Sequence, residues 1–132
     1  MSVEQQALEE LADRLRAALD SADVDAVGEL LDPNVRWGPP DDPTPPCRNR
    51  DQVLAWYGRG RAEGVRARVT EVVVGSDKIL IGLKVVPRRS ARGGGESDRW
   101  QVWTVSGGLA VDIRGFDDRA EAAARAGVPS IA

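Results

Sequence analysis

The 132-residue sequence contains no histidine. That absence excludes Ser-His-Asp and Cys-His catalysis, and with them any imidazole general base at neutral pH. There is a single cysteine, Cys47, so no internal disulfide can form. Zinc sites built from Cys and His are excluded on the same two counts, and neither a metal nor another cofactor is expected. Any acid or base must then be a shifted carboxylate, Lys78 or Lys84, Tyr57 or Cys47. No apolar run approaches the length of a membrane span, and Met1 to Asp20 alternates charged and apolar residues, unlike a signal peptide. The expectation is a soluble cytoplasmic protein without a membrane partner. A coherent basic face is also missing: the net charge is -3 and the arginines are scattered among carboxylates, which argues against a nucleic-acid partner. Arg59, Arg61, Arg66 and Arg68 cluster across a glycine-rich turn, but without interleaved aromatics they read as a solvated edge.

The composition is that of a globular chain, 42% hydrophobic and 30% charged, and its length suits one domain over residues 1–132 with one core. Val3, Ala7, Leu8, Leu11, Leu15, Ala18 and Leu19 recur at helical spacing, with charged residues on the other face. Asp23 can cap a second, short helix through Ala26, Val27, Leu30 and Leu31, which Asp32-Pro33-Asn34 ends. Val35-Arg36-Trp37 reads as a short strand. Residues 38–47 hold five prolines between Pro39 and Pro46 and read as a flexible loop. A third helix starts at Asn49 or Asp51 and carries Val53, Leu54, Trp56 and Tyr57. The second half reads as strands: Val65 to Val74, Lys78 to Val86, Arg99 to Val105 and Leu109 to Phe116. Turns at Gly75-Ser76-Asp77 and Ser106-Gly107-Gly108 punctuate them, and a flexible glycine-rich segment spans 88–98. Asp117 or Asp118 caps a final helix that Gly127 and Pro129 stop. Helices first and a meander of strands second is an α+β pattern.

Several phrases resemble, in order along nearly the whole chain, the SnoaL-like and nuclear transport factor 2-like superfamily. They are DPNVRW, RDQVLAWY, VTEVVVGSDKILIGLKV and VWTVSGGLAVDIRGFDDRAEAAARAG. The resemblance implies a cone-shaped, curved antiparallel (mixed) sheet with the N-terminal helices packed on its concave face, around a pocket. It also implies which strand faces line that pocket. On that reading Leu80, Gly82, Lys84 and Val86 point inward, with Arg99, Gln101, Trp103 and Val105, and with Val111, Ile113 and Gly115. Ile79, Ile81, Leu83 and Val85 then point outward, with Trp100, Val102 and Thr104.

The superfamily holds enzymes and non-catalytic binders, so the resemblance does not fix an activity. Its epoxide hydrolases use an Asp-Arg-Asp set whose positions match Lys84, Gly82 and Gly115 here. Its ketosteroid isomerases place a carboxylate near Gly38 and a tyrosine in the first helix, and this chain has neither. Its cyclases pair an Asp with a His. No catalytic residue is therefore assigned. The leading expectation is a binder of a small apolar or aromatic molecule, in a pocket of Trp37, Trp56, Gly82, Lys84, Gln101, Trp103, Ile113 and Gly115. Lys84 would meet a negative charge and Trp103 a ring. The alternatives are an enzyme of cyclase or isomerase type using Asp41, Asp42 or Asp112, and a dimeric interaction module whose pocket is filled. Asp112 and Arg114 read more simply as a solvated ion pair on the outer sheet face, and Cys47 as inert. Because the outward set is so apolar, a homodimer through the outer sheet face is expected.

Overall fold

The computed structural model describes residues 3–21, 23–86 and 97–129. Four helices and five strands follow in the order α1 (Val3–Asp20), α2 (Val24–Glu29), β1 (Leu31–Gly38), α3 (Arg50–Ala62), β2 (Arg66–Val74), β3 (Lys78–Val86), β4 (Ser97–Ser106), β5 (Leu109–Phe116) and α4 (Arg119–Ala126). Most of the segment expected to be a flexible glycine-rich hairpin loop, residues 88–96, lies outside the described residues.

The helix starts follow capping chemistry. Asp23 accepts from the Ala26 amide at 3.1 Å, Asn49 from Gln52 at 2.9 Å and Asp118 from Glu121 at 3.1 Å, each satisfying an amide that the first helical turn leaves without a partner. Gly127 ends α4 at φ 71°, a left-handed conformation that favours glycine. Gly107 and Gly108, at φ 61° and 83°, make the tight turn between β4 and β5 in the twist that two-residue hairpins require.

The sheet runs β1-β5-β4-β3-β2. β1 lies parallel to β5, and the other neighbours are antiparallel. Side chains of the inner face meet the buried stripe of α1, Leu8, Leu11, Ala12, Leu15, Ala18 and Leu19. The Asp20 carboxylate at the end of α1 accepts from the Val69 amide at 2.9 Å and ties the helix to β2. A second, smaller core lies on the outer face. There Leu80, Val102 and Phe116 are covered by Ala122, Ala123 and Ala126 of α4.

These two cores correct the expected phase of β3. Ile79 pairs with Trp103, Ile81 with Gln101 and Leu83 with Arg99, and paired residues share a face. Ile79, Ile81 and Leu83 therefore lie on the inner face, buried in the main core, while Leu80, Gly82 and Lys84 lie on the outer one. Several residues expected on the face joining two chains pack within this one. Those of β3 are interior, and Val102 lies under α4. Three alanines let that short helix sit close to the strands, which is how eight residues cover an apolar face.

A polar cluster locks α4 in place over the outer face. β2 carries an extra residue between Val69 and Glu71, and Glu71 lies opposite Gly82. The Glu71 carboxylate accepts from Arg119 at 2.6 and 3.1 Å and from the Trp100 indole at 3.3 Å. The Arg119 hydrogen bond is the main reason the Glu71 carboxyl is held below the usual carboxylate range, and burial opposes it. A depressed folded pKa contributes stability that is present above the unfolded value of about 4.3 and is lost as pH falls through the folded one. Glu71→Gln should thus be most destabilising near neutral pH, with its deficit shrinking below about pH 4. Urea unfolding of both proteins at neutral and acidic pH measures this, and a deficit that does not change with pH would contradict it.

Candidate functional site

The C-terminal half of α3 has little with which to fill the space beneath it. Val53 is the fully buried residue of that helix, and Gly60, which lines the space, brings no side chain to it. A Cβ placed on Gly60 would come no nearer than 4.0 Å to its nearest neighbour, Val65 Cβ. Close packing elsewhere in the core makes such a gap a cavity rather than a looser contact. Its volume is about 510 Å³. Ala18 and Leu19 of α1, Val24 and Val27 of α2, and Ala67, Leu83 and Val85 of the sheet give it aliphatic walls. Trp56 and Tyr57 close it from α3, and it opens to solvent past Arg59, Arg61, Glu63 and Arg66.

Few polar groups reach the interior. Gln101 is the buried polar residue of the core, 8% exposed, and its Oε1 accepts from the Trp103 indole at 2.9 Å. Tyr57 lines the cavity beside Gln101. Burial pushes the Tyr57 phenol well above its ordinary value, so it keeps its proton and is a donor rather than a base. Trp37 stands behind this wall, with ring centroids 4.3 Å from Trp56 and 5.3 Å from Tyr57. Edge and tilted contacts of this kind hold the cavity's aromatic side rigid.

Of the eight residues expected around the pocket, Trp56 and Gln101 line the cavity. Trp103 and Ile113 are fully buried in the core. Gly115 pairs with Gln101 on the inner face, and Trp37 packs behind the wall. Gly82 and Lys84 are on the opposite side of the sheet, because β3 runs in the other phase. There Lys84 lies 3.9 Å from Asp98, its cross-strand partner. Positive charge at the cavity comes instead from the exposed Arg59, Arg61 and Arg66 at its mouth.

The three candidate carboxylates are elsewhere. Asp112 is on the outer face, held by Arg114 at 3.0 Å. The pair is not simply solvated: the Arg114 side chain is 12% exposed and also donates to the Pro39 and Asp42 carbonyls at 2.8 Å. Asp41 meets Arg125 at 2.5 Å, and Asp42 accepts from the Thr44 amide at 2.9 Å. Arg36 adds a bond to the Pro43 carbonyl at 2.7 Å and Arg125 one to Pro40 at 2.9 Å. Three arginines thus hold the proline loop through its backbone carbonyls. Of its acids, Asp41 joins that hold through Arg125, and the Asp42 carboxylate accepts from Thr44 within the loop. Among the residues lining the cavity, Glu63 is the carboxylate, and it is exposed. Cys47 is buried beside β1, exchanging backbone hydrogen bonds with Trp37, and burial pushes its thiol up despite nearby Arg59. No group of three or more His, Cys, Asp or Glu able to hold a metal ion occurs among the described residues. Nor is any described helix long and apolar enough to cross a membrane.

The residues that the sequence reading missed were Tyr57 and the aliphatic walls. The signal for them was present in α3, where two adjacent aromatics precede alternating glycines.

Solved structures with this arrangement are numerous. Bal32a, from a soil-derived mobile gene cassette, is 23% identical over 86% of this chain and 90% of its own, with a TM-score of 0.69. A protein from Jannaschia sp. CCS1, named as a candidate SnoaL-like polyketide cyclase, is 19% identical, covers 98% of both chains and has a TM-score of 0.67. A protein of ketosteroid isomerase-like fold from Catenulispora acidiphila, in complex with trimethylamine, is 17% identical over 92% of this chain and 95% of its own, with a TM-score of 0.65. At these identities the likeness is one of fold. Among curated proteins no relative matches at a significant level. The SnoaL-like domain model matches residues 12–113, from the middle of α1 to the centre of β5, and the chain belongs to that family.

Proposed function

We propose that this protein binds a small apolar or aromatic molecule in the cavity beneath α3, without the catalytic sets of its better-known relatives. The observation that carries the reading is the cavity itself. Its volume of about 510 Å³ lies within the range of small-molecule sites, and its walls are aliphatic and aromatic with few polar groups. The acids that an enzyme of this kind would need, Asp41, Asp42 and Asp112, are bound into the proline loop and the outer face. Relatives of this fold named as a polyketide cyclase or as ketosteroid isomerase-like lend support to an organic ligand of modest size. The arginines at the mouth favour a neutral or anionic molecule over a cation.

Native mass spectrometry of freshly purified protein tests for a carried-over ligand and reports its mass. Ala67→Trp places an indole in the cavity from β2 and should weaken binding about tenfold or more, equivalent to about 1.4 kcal/mol. Lys84→Met, on the opposite face, should leave affinity unchanged. Equilibrium dialysis with the ligand that mass spectrometry identifies compares the three proteins. Binding that ignores Ala67→Trp, or that is lost with Lys84→Met, would place the ligand elsewhere.

A further inference from the structure

The cavity separates its charge from its apolar surface. Its walls are aliphatic and aromatic, and the charged residues that line it are Arg59, Arg61, Glu63 and Arg66, all of them exposed. Three cations to one carboxylate reverses the sign of the whole chain, whose net charge is -3. Arg59 and Arg61 lie in the last turn of α3, on either side of Gly60. Residues two apart on a helix do not face each other, so these side chains leave α3 on opposite flanks of a residue that cannot fill the gap between them. Arg66 joins them from β2. Its Nη1 donates to the Arg61 and Val65 carbonyls at 3.3 and 3.0 Å, which fixes a third positive charge at the same end of the helix. Elsewhere Arg114, Arg119 and Arg125 each hold a carboxylate. Arg59 and Arg61, by contrast, make no side-chain hydrogen bond or ion pair among the described residues. A helix C-terminus favours cations, which accounts for arginine in that turn but not for its place around the opening of an apolar cavity.

We propose that the cavity takes an amphipathic acid, with its apolar body against the walls and its carboxylate at the mouth between Arg59 and Arg61. The orientation follows from cost. A carboxylate turned inward would leave water and move away from every lining cation, whereas at the mouth it keeps both. The fork of N–H groups on a guanidinium matches the two oxygens of a carboxylate, and one such fork stands on each flank of Gly60. Exposed ion pairs are individually weak and are screened by salt. The apolar body therefore supplies most of the affinity, and the arginines choose the head group. Glu63 opposes the acid at the same mouth, but it is outnumbered. The proposal rests on the cavity being a ligand site and goes further by naming the charge and place of the ligand's polar end.

Three probes with one ring system separate the two ideas. 2-Naphthaleneacetic acid, 2-naphthaleneacetamide and 2-naphthaleneethylamine carry an anionic, a neutral and a cationic head. Equilibrium dialysis of the wild-type protein at about 0.01 M ionic strength should show the acid bound about three- to tenfold tighter than the amide, the range expected of a few exposed ion pairs. The amine should bind more weakly than the amide. At about 1 M salt the ratio of acid to amide should fall close to one, because the ring is common to both and only the charge is screened. Arg59→Gln combined with Arg61→Gln should bring the low-salt ratio close to one while keeping the affinity for the amide. Arg68→Gln, at an exposed position of β2 that does not line the cavity, should leave the ratio unchanged. A low-salt ratio near one in the wild type, with both probes bound, overturns the head-group assignment and leaves the cavity as a ligand site. A wild-type protein that binds none of the three probes overturns both. A ratio that survives the double substitution, or that falls as far with Arg68→Gln, shows that Arg59 and Arg61 do not hold the acid and overturns the proposal. The salt series on the wild-type protein decides the matter without any variant.

Discussion

Trp103→Ala should destabilise the protein by about 3–5 kcal/mol, the usual cost of emptying a large aromatic site in a core. Trp103 is the largest of the fully buried side chains, with 0% exposure. It sits in the middle of the inner face, paired with Ile79 on one side and Ile113 on the other. No neighbour can collapse into its place without leaving the sheet, so the cavity term should be close to fully expressed. Domains of this kind are stable by about 5–15 kcal/mol in total, so the loss takes a large share of the whole. The melting temperature should fall by on the order of 10–20 °C. Trp103→Phe makes the informative comparison. It keeps most of the volume but removes the indole donor, leaving Gln101 Oε1 without its partner at a cost of about 1–3 kcal/mol. Urea unfolding monitored by far-ultraviolet dichroism gives both numbers. A loss below about 1 kcal/mol for Trp103→Ala would mean that the site repacks, contrary to the close packing drawn here.

The phase of β4 and β5 was legible in the sequence, and that of β3 was not. In β5 the apolar Ile113 alternates with Asp112 and Arg114, so the two faces differ in kind and the register follows. In β4 the Trp103–Gln101 side could be told from the Val102 side only through that neighbour. The β3 segment reads KILIGLKVV, apolar on both faces, and such a strand carries no internal sign of which side is in. Its phase is set by pairing Ile79 to Trp103 and by the bulge in β2 that turns Glu71 over Gly82. Both are tertiary facts. The helices were easier, because caps are local: Asp23, Asn49, Asp118 and Gly127 do in space what their residue types imply. The cavity was half legible. Trp56 and Gln101 were expected in it, but the decisive feature was a shortage of side-chain volume along α3, and an absence is harder to see than a motif. The role of α4 was misjudged for a similar reason. Eight residues look too few to cover a sheet face until its alanines are seen to close the distance.

The two glycines left on the inner face and at the end of β1 should respond in opposite ways to a single added methyl. The resemblance to isomerases and epoxide hydrolases aligned Gly38, Gly82 and Gly115 with acidic or basic positions, as if three functional groups had been erased. Their surroundings differ. A Cβ on Gly38 would lie 2.6 Å from Pro45 Cβ, 3.0 Å from Pro46 Cδ and 3.1 Å from Pro45 Cα. Proline rings cannot rotate out of the way, and the loop that carries them is held by Arg36, Arg114 and Arg125 through four backbone carbonyls. Gly38→Ala should therefore break part of that grip and cost about 1–3 kcal/mol by overpacking. Gly82 is similar, with Glu71 Cγ and Thr70 Oγ1 both 2.8 Å from its would-be Cβ, although the flexible Glu71 chain can give a little. At Gly115 the added methyl meets nothing within 4 Å, and its backbone is not in the left-handed region. There the substitution restricts the unfolded chain without strain in the folded one, so Gly115→Ala should be neutral or more stable by about 0.4–1 kcal/mol. Thermal and urea unfolding of the two alanine variants side by side provides the comparison. Equal losses at Gly38 and Gly115 would show that the proline loop yields to a methyl group. In that case the arginines do not hold it as firmly as their hydrogen bonds indicate.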